Sequence, residues 1–311
     1  MVPIQLYSKK YNKKKHFLDF SKNDISFQIT QKQYIKSSIN FANPHHTIAF
    51  LGGSTTICTN VKENLRFPFL VSKILEKNKL KINVLNASKV NNNIQSSINI
   101  LFNHLIYDKP NIVILMHTSD EINSFKDFSK KKQMNSVKKT YFNNYLVEIL
   151  KVSTQNFAIF GLVRKFCEKT IFSFSKKSNK IDLNLILSEN NKELFKHRLK
   201  AFIGICKSFK IKPILMTEPI YDLFLKNNNE FEQNCYMQNV FNKLIVETCK
   251  ETNTDLIDLA HFISNKIKTS KESSKIFKNK IIPNDQGSKL YAEYISENLL
   301  KILKKKVTIQ P

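Results

Sequence analysis

The chain predicts an α/β fold, a doubly wound parallel sheet with helices packed on both faces. Two observations carry this. Short apolar runs alternate with longer segments whose apolar residues recur at intervals of three and four, which is the grammar of strand, helix, strand. The runs themselves, such as Ile112-Val113-Ile114-Leu115-Met116, are apolar at consecutive positions, as strands buried on both faces require.

In chain order, the first strand is expected at 47–51 and a helix at about 64–77. Lys81-Ile82-Asn83-Val84-Leu85-Asn86 gives a second strand, and a helix over 94–107 follows, with Ile94, Ile98, Leu101 and Leu105 on one face. Pro110 marks the return to the third strand, 111–116. From about 118 to 187 the alternation dissolves into lysines, serines and phenylalanines, which reads as a helical insertion. Within it, Phe157-Ala158-Ile159-Phe160-Gly161-Leu162-Val163 beside Arg164 and Lys165 offers either core packing or a peripheral contact with a membrane, and core packing is the reading preferred. Order resumes with a helix at 189–209, a strand at 212–216, a helix at about 230–251 and a fifth strand at 255–259. A loop over 269–285 leads into a last amphipathic helix at about 286–303. Residues 1–46 form a basic arm with isolated aromatics, 47–303 a single domain and 304–311 a basic tail.

Composition bounds the function classes. With 311 residues, 41% hydrophobic and 24% charged, the chain is long enough for a large core and ordinary for a globular protein. The formal charge of +25 would normally point to nucleic acid or an anionic surface. Here the basic residues are nearly all scattered lysines beside abundant Asn and Ile, with no aromatic-and-basic motif of an RNA or DNA module, so nucleic acid ranks last as a partner. The five cysteines are an odd number without C-x-x-C or metal-ligand spacing, so neither a disulfide framework nor a metal is expected. No G-x-G-x-x-G or P-loop motif calls for a nucleotide cofactor, and no cofactor is expected. No stretch reaches the roughly 18 apolar residues a membrane span needs. As written, the chain is expected in the cytoplasm; a leader removed ahead of Met1 would leave no mark in it.

The unusual stretch is Thr47-Ile48-Ala49-Phe50-Leu51-Gly52-Gly53-Ser54-Thr55-Thr56. Two of only five glycines stand together directly after a strand, which implies a sharp turn. That turn sets Ser54 at the carboxyl edge of the sheet, where open α/β folds hold their ligands. Ser54 is therefore a candidate nucleophile, with helix N-cap as the plainer alternative.

Taken together, Phe50 to Thr56, Arg66-Phe67-Pro68, Val84-Leu85-Asn86-Ala87-Ser88, Pro110 to His117, Leu215-Met216-Thr217-Glu218-Pro219 and Gly287 to Glu293 form an ordered series that resembles the SGNH or GDSL hydrolases. The resemblance spans about 47–303 and implies a flavodoxin-like three-layer α/β/α fold on a five-stranded parallel sheet. It implies hydrolysis of carboxylic esters, with an acyl ester of a small molecule, glycan or lipid as substrate. It places the nucleophile on Ser54, beside Gly53. It places oxyanion donors on Asn91, where the family has glycine, and on Ser119, where it has asparagine. The family's closing Asp-x-x-His falls on Asn279 and Ile282, and isoleucine accepts no proton. Asp258-Leu259-Ala260-His261 repeats the spacing at the fifth strand, offering Asp258 as orienter and His261 as base, and His117 is a second candidate base. Two functional readings follow: an acyl-ester hydrolase, and an inactive SGNH-fold binding or interaction protein.

Overall fold

A computed structural model describes residues 34–35, 41–58, 60–136, 183–220, 229–267, 269–278 and 281–307. Five strands, β1 (His46–Gly52), β2 (Ile82–Asn86), β3 (Ile112–Met116), β4 (Lys212–Met216) and β5 (Asp255–Ile257), form one sheet in the order β2-β1-β3-β4-β5. Every pairing is parallel. The helices among the described residues are α1 (Ser54–Ile57), α2 (Phe67–Lys77), α3 (Ile94–Asn103), α4 (Ser119–Ser136), α5 (Leu183–Ile186), α6 (Glu189–Ser208), α7 (Asn229–Thr252), α8 (Leu259–Lys266), α9 (Ser270–Ile276) and α10 (Asp285–Val307).

The strands sort their side chains by the pleat. Ala49, Leu51, Val113, Leu115 and Leu215 point to one face and pack with residues of α3, α6 and α7. Ile48, Phe50, Ile112, Ile114, Met116, Ile214 and Ile257 point to the other and pack with α2, α8 and α10. Successive residues of a strand face opposite ways, so a sheet covered twice needs apolar residues at every position. The three-layer α/β/α architecture and the parallel sheet expected from the sequence are therefore present.

The boundaries differ in three places. β5 stops at Ile257 because Asp258 turns to cap α8. The helix expected over 94–107 ends at Asn103 and gives way to a tight turn over Leu105–Asp108, from which Lys109, at φ 48°, reverses the chain into β3. The loop expected over 269–285 contains α9, started by a reciprocal cap. In that cap Glu272 N donates to Thr269 Oγ1 (3.4 Å) and Thr269 N donates to Glu272 Oε2 (3.1 Å). Of the expected arm, Tyr34 and Ile35 are buried, and Ile35 N donates to Asn86 O (2.9 Å) at the edge of β2. α4 opens the expected insertion. The apolar patch 157–163, Cys167 and Asn279 lie outside the described residues. Cys58, Cys206, Cys235 and Cys249 are buried free thiols. Among the described residues no helix is long and apolar enough to cross a membrane.

Phe67 ties α2 to the sheet: it is fully buried, edge-on to Phe50 at 5.7 Å and 5.9 Å from Tyr291 of α10. Phe67→Ala is expected to lower the free energy of unfolding by about 3–5 kcal/mol, read from urea denaturation, because the cavity has rings on two sides that cannot collapse into it.

Candidate active site

The sheet order reverses between β1 and β3, and the crevice outside the carboxyl ends at that reversal is where such sheets bind ligands. Ser54 stands there, half-buried, as the first residue of α1. Two glycines bring it in, for reasons of space. Neither Gly52 nor Gly53 has a positive φ, contrary to a turn that demands glycine's backbone freedom. A β-carbon at Gly52 would lie 2.0 Å from Thr56 Oγ1 and 2.9 Å from Met116 O. One at Gly53 would lie 1.5 Å from Oδ2 of Asp120. The Gly52 carbonyl is held by Lys89 N (3.1 Å) and by Asn92 Nδ2 (3.3 Å), which fixes the turn to the loop after β2.

Beneath the turn lies a buried carboxylate. Glu218, just past β4, accepts from Thr55 Oγ1 (2.6 Å) at one oxygen and from the backbone N–H of Thr118 (2.9 Å) and Ser119 (2.7 Å) at the other. Its own backbone is paired with α7: Asn242 Oδ1 accepts from Glu218 N (3.0 Å), and Asn242 Nδ2 (2.9 Å) and Gln238 Nε2 (3.0 Å) donate to Glu218 O. Burial pushes the Glu218 carboxyl above its ordinary range, and the donated hydrogen bonds oppose that shift.

A second carboxyl reaches Ser54 itself. Asp120, in the first turn of α4, lies over Gly53 with the backbone N–H of Ser54 directed at it. Its pKa is raised to about 7, first by burial and then by the charge of Glu218 and, more weakly, Glu121, while the Ser54 N–H pulls the other way. Glu121 is fully buried and paired with Arg198 of α6, and its Oε2 accepts from Ile94 N (3.0 Å) at the start of α3. Sequence reading quoted Glu218 inside one of its blocks without a role and passed over Asp120. The available signal was position: each follows the end of an apolar strand by a few residues.

The other expected site residues are arranged as follows. Asn91 is exposed with φ 54°, the left-handed backbone that asparagine tolerates. Ser119 donates its hydroxyl to Gln238 Oε1 (3.0 Å) and so turns toward α7. His117 is buried, its Nε2 meets Ser97 Oγ (2.7 Å), and Ser97 in turn accepts from Asn92 Nδ2 (2.7 Å). Burial lowers the His117 pKa to about 3, so its ring is neutral and weakly basic, ill suited to take a serine proton near neutral pH. Asp258 and His261 do not form an acid–imidazole pair. Asp258 Oδ1 accepts from Thr217 Oγ1 (2.7 Å) and from the backbone N–H of His261 (3.3 Å), as the N-cap of α8. The exposed His261 ring meets Asn265 Nδ2 at Nε2 (3.0 Å). Ile282 is half-buried in the loop before α10, and its neighbour Ile281 lines a cavity of about 120 Å³ with Ser119, Ile122, Gln238 and Asn234. No hydrogen bond to Ser54 Oγ forms among the described residues. Nor does any group of three or more His, Cys, Asp or Glu among them have metal-holding geometry.

No protein-family model matches the chain, and no curated protein does. Solved structures do. A variant of the acetyl xylan esterase Axe2 from Geobacillus stearothermophilus aligns over 82% of this chain and 95% of its own at 11% identity and a TM-score of 0.52. The acetyl xylan esterase AlAXEase aligns over 81% and 98% at 14% identity and a TM-score of 0.50. A lipolytic protein of the G-D-S-L family from Desulfitobacterium hafniense DCB-2 aligns over 82% and 99% at 14% identity and a TM-score of 0.49. The chain shares its fold with these acetyl xylan esterases. Gly52-Gly53-Ser54 follows directly from β1 at this edge, and Asp120 supplies a carboxyl above Gly53 from a different strand end.

Two stability outcomes follow. Glu218→Ala leaves the Thr55 hydroxyl and two backbone N–H groups unpaired and is expected to cost roughly 3–5 kcal/mol in urea denaturation, with Glu218→Gln losing about half as much. Asp120 holds its proton up to about pH 7 in the folded protein, whereas an unfolded aspartate loses it near 4. The folded state therefore binds the extra proton between those values, and stability falls as pH rises from about 4 to 7. Asp120→Asn is expected to flatten that slope and to raise the thermal midpoint at pH 8 relative to pH 4, measured by calorimetry at both.

Proposed function

We propose that the protein is a serine acyl-ester hydrolase of SGNH fold, with Ser54 as nucleophile and an acetyl or longer acyl ester on a small molecule, glycan or lipid as substrate. The observation that carries this is the placement of Ser54. It is half-buried at the crevice where the strand order reverses, on a turn clamped by Glu218 through Thr55 and by Asn92 through Gly52. A serine held this rigidly, with its hydroxyl left available, is what nucleophilic attack on a bound carbonyl requires. In the reaction Ser54 Oγ bonds to the acyl carbon, the alcohol leaves with the serine proton, and water then releases the acid. The esterase names of the solved neighbours agree with this class. A hydrolase with Ile282 in the histidine place is expected to be slow. In subtilisin, removing the histidine alone reduces turnover by about 10⁶-fold.

The second reading, a binding protein that keeps the cleft without chemistry, is favoured by the histidines. His117 is buried against Ser97, and His261 is exposed on α8.

The test is labelling by a fluorophosphonate ester, followed by peptide mapping. Label on Ser54 over hours, absent in Ser54→Ala, is expected. Ile282→His combined with Asn279→Asp, which rebuilds the family's closing block, is expected to speed labelling by about 10²-fold or more. Folded protein that takes no label in either background would leave the binding reading in possession.

A further inference from the structure

An acyl-transfer site needs donors aimed at the oxygen that gains charge, and here the side-chain donor expected from resemblance is missing. Ser119 donates its hydroxyl to Gln238 and its N–H to Glu218, so neither is directed at Ser54. In that neighbourhood the structure offers another group. Oδ2 of Asp120 lies where a β-carbon on Gly53 would be, 1.5 Å from that point, with the Ser54 N–H directed at its carboxyl. An oxygen developing beside Ser54 N–H would therefore meet Asp120 first.

We propose that Asp120 is the side-chain oxyanion donor of this site, acting as the neutral carboxylic acid. The inference rests on the serine-hydrolase reading and adds to it a catalytic residue outside the family's own set. As an anion the same carboxyl would repel the oxyanion and hold the Ser54 N–H for itself. As an acid it has an O–H to donate and no charge to oppose. During attack Ser54 Oγ bonds to the acyl carbon, the carbonyl π pair moves to oxygen, and the Asp120 O–H donates to that oxygen while keeping its proton. The pair returns to carbon as the alcohol departs with the serine proton. A buried carboxylic acid kept neutral to donate in this way has a precedent in ketosteroid isomerase.

The surroundings support the neutral form. The titratable and charged groups around Asp120 are Glu218 after β4, Glu121 beside it on α4, Arg198 of α6, which is paired with Glu121, and His117 at the end of β3, whose ring burial keeps neutral. Burial raises the Asp120 carboxyl to about 7 together with the charge of Glu218 and, more weakly, that of Glu121, whose partner is Arg198.

The experiment measures the rate of fluorophosphonate labelling at Ser54 from pH 5 to 9 in the wild type, Asp120→Asn and Asp120→Ala. The phosphoryl oxygen of this probe takes the oxyanion's place. Loss of the donor should slow the wild type relative to Asp120→Asn by roughly tenfold for each pH unit above about 7. Asp120→Asn, whose amide donates at every pH, should lack that decline and label about 10²-fold faster than the wild type at pH 9. Asp120→Ala should be slow throughout, by about 10² to 10³. Rescue by Asn but not by Ala separates a donor from a merely structural carboxyl. Asp120→Asn as slow as Asp120→Ala would make Asp120 a base, and Asp120→Ala faster than the wild type at pH 5 to 6 would make it a plug. Either result, or an Asn variant with the wild-type pH profile, overturns the inference while leaving the serine-hydrolase reading standing. Absence of label in every variant, including the rebuilt Ile282→His background, overturns both.

Discussion

The arrangement at the carboxyl edge depends on one carboxylate in a place without water. Glu218 joins the ends of three strands: it receives the Thr55 hydroxyl after β1 and the Thr118 and Ser119 amides after β3, and its own backbone follows β4. Three donors on two oxygens satisfy most of what a buried carboxylate requires, and each hydrogen bond to a charged acceptor is stronger than a neutral one. Remove it, and loops that share no sequence proximity lose their common anchor. The turn bearing Ser54 inherits its rigidity from this acid.

The same acid sets the electrostatics above it. A carboxyl close to another buried carboxyl cannot easily ionise, because two like charges in a poorly polarisable site repel strongly. Burial raises both carboxyls; several donated hydrogen bonds oppose that at Glu218, and the Ser54 amide opposes it at Asp120. Glu121, a weaker contributor at Asp120, is paired with Arg198, which joins α4 to α6 and lies over Phe125 at 5.9 Å. A chain with a formal charge of +25 thus keeps a cluster of acids at its crevice, which a tally of surface lysines does not disclose.

The sheet was legible because its physics is local. A strand covered on both faces must be apolar at consecutive positions, and β1, β3 and β4 show this directly. Of the candidate site the sequence singled out Ser54, because adjacent glycines precede it in a glycine-poor chain. Asp120 and Glu121 look like the acids that ordinarily begin a helix, and that is also what they are. The contacts of Asp120 with Gly53 and of Glu121 with Ile94 and Arg198 span residues far apart in the chain, and nothing in the local pattern announces them. Asp258 and His261 misled for the opposite reason. A helix cap links a carboxylate to the amide three residues on, so capping and the family's Asp-x-x-His share a spacing while differing in which atom of the histidine is engaged. α9 went unread although Thr269 and Glu272 carry a capping signature, because the segment after it is irregular.

The closeness of Asp120 to Gly53 also constrains how this crevice can change over generations. With 1.5 Å between the carboxyl oxygen and the position of a β-carbon, residues 53 and 120 compete for one volume. A descendant that gains any side chain at 53 must at the same time shorten or redirect the one at 120, and one that keeps the acid at 120 must keep glycine at 53. The coupling runs one way despite the separate strand ends: residue 120 can shorten while 53 stays glycine, but a side chain at 53 waits on a change at 120.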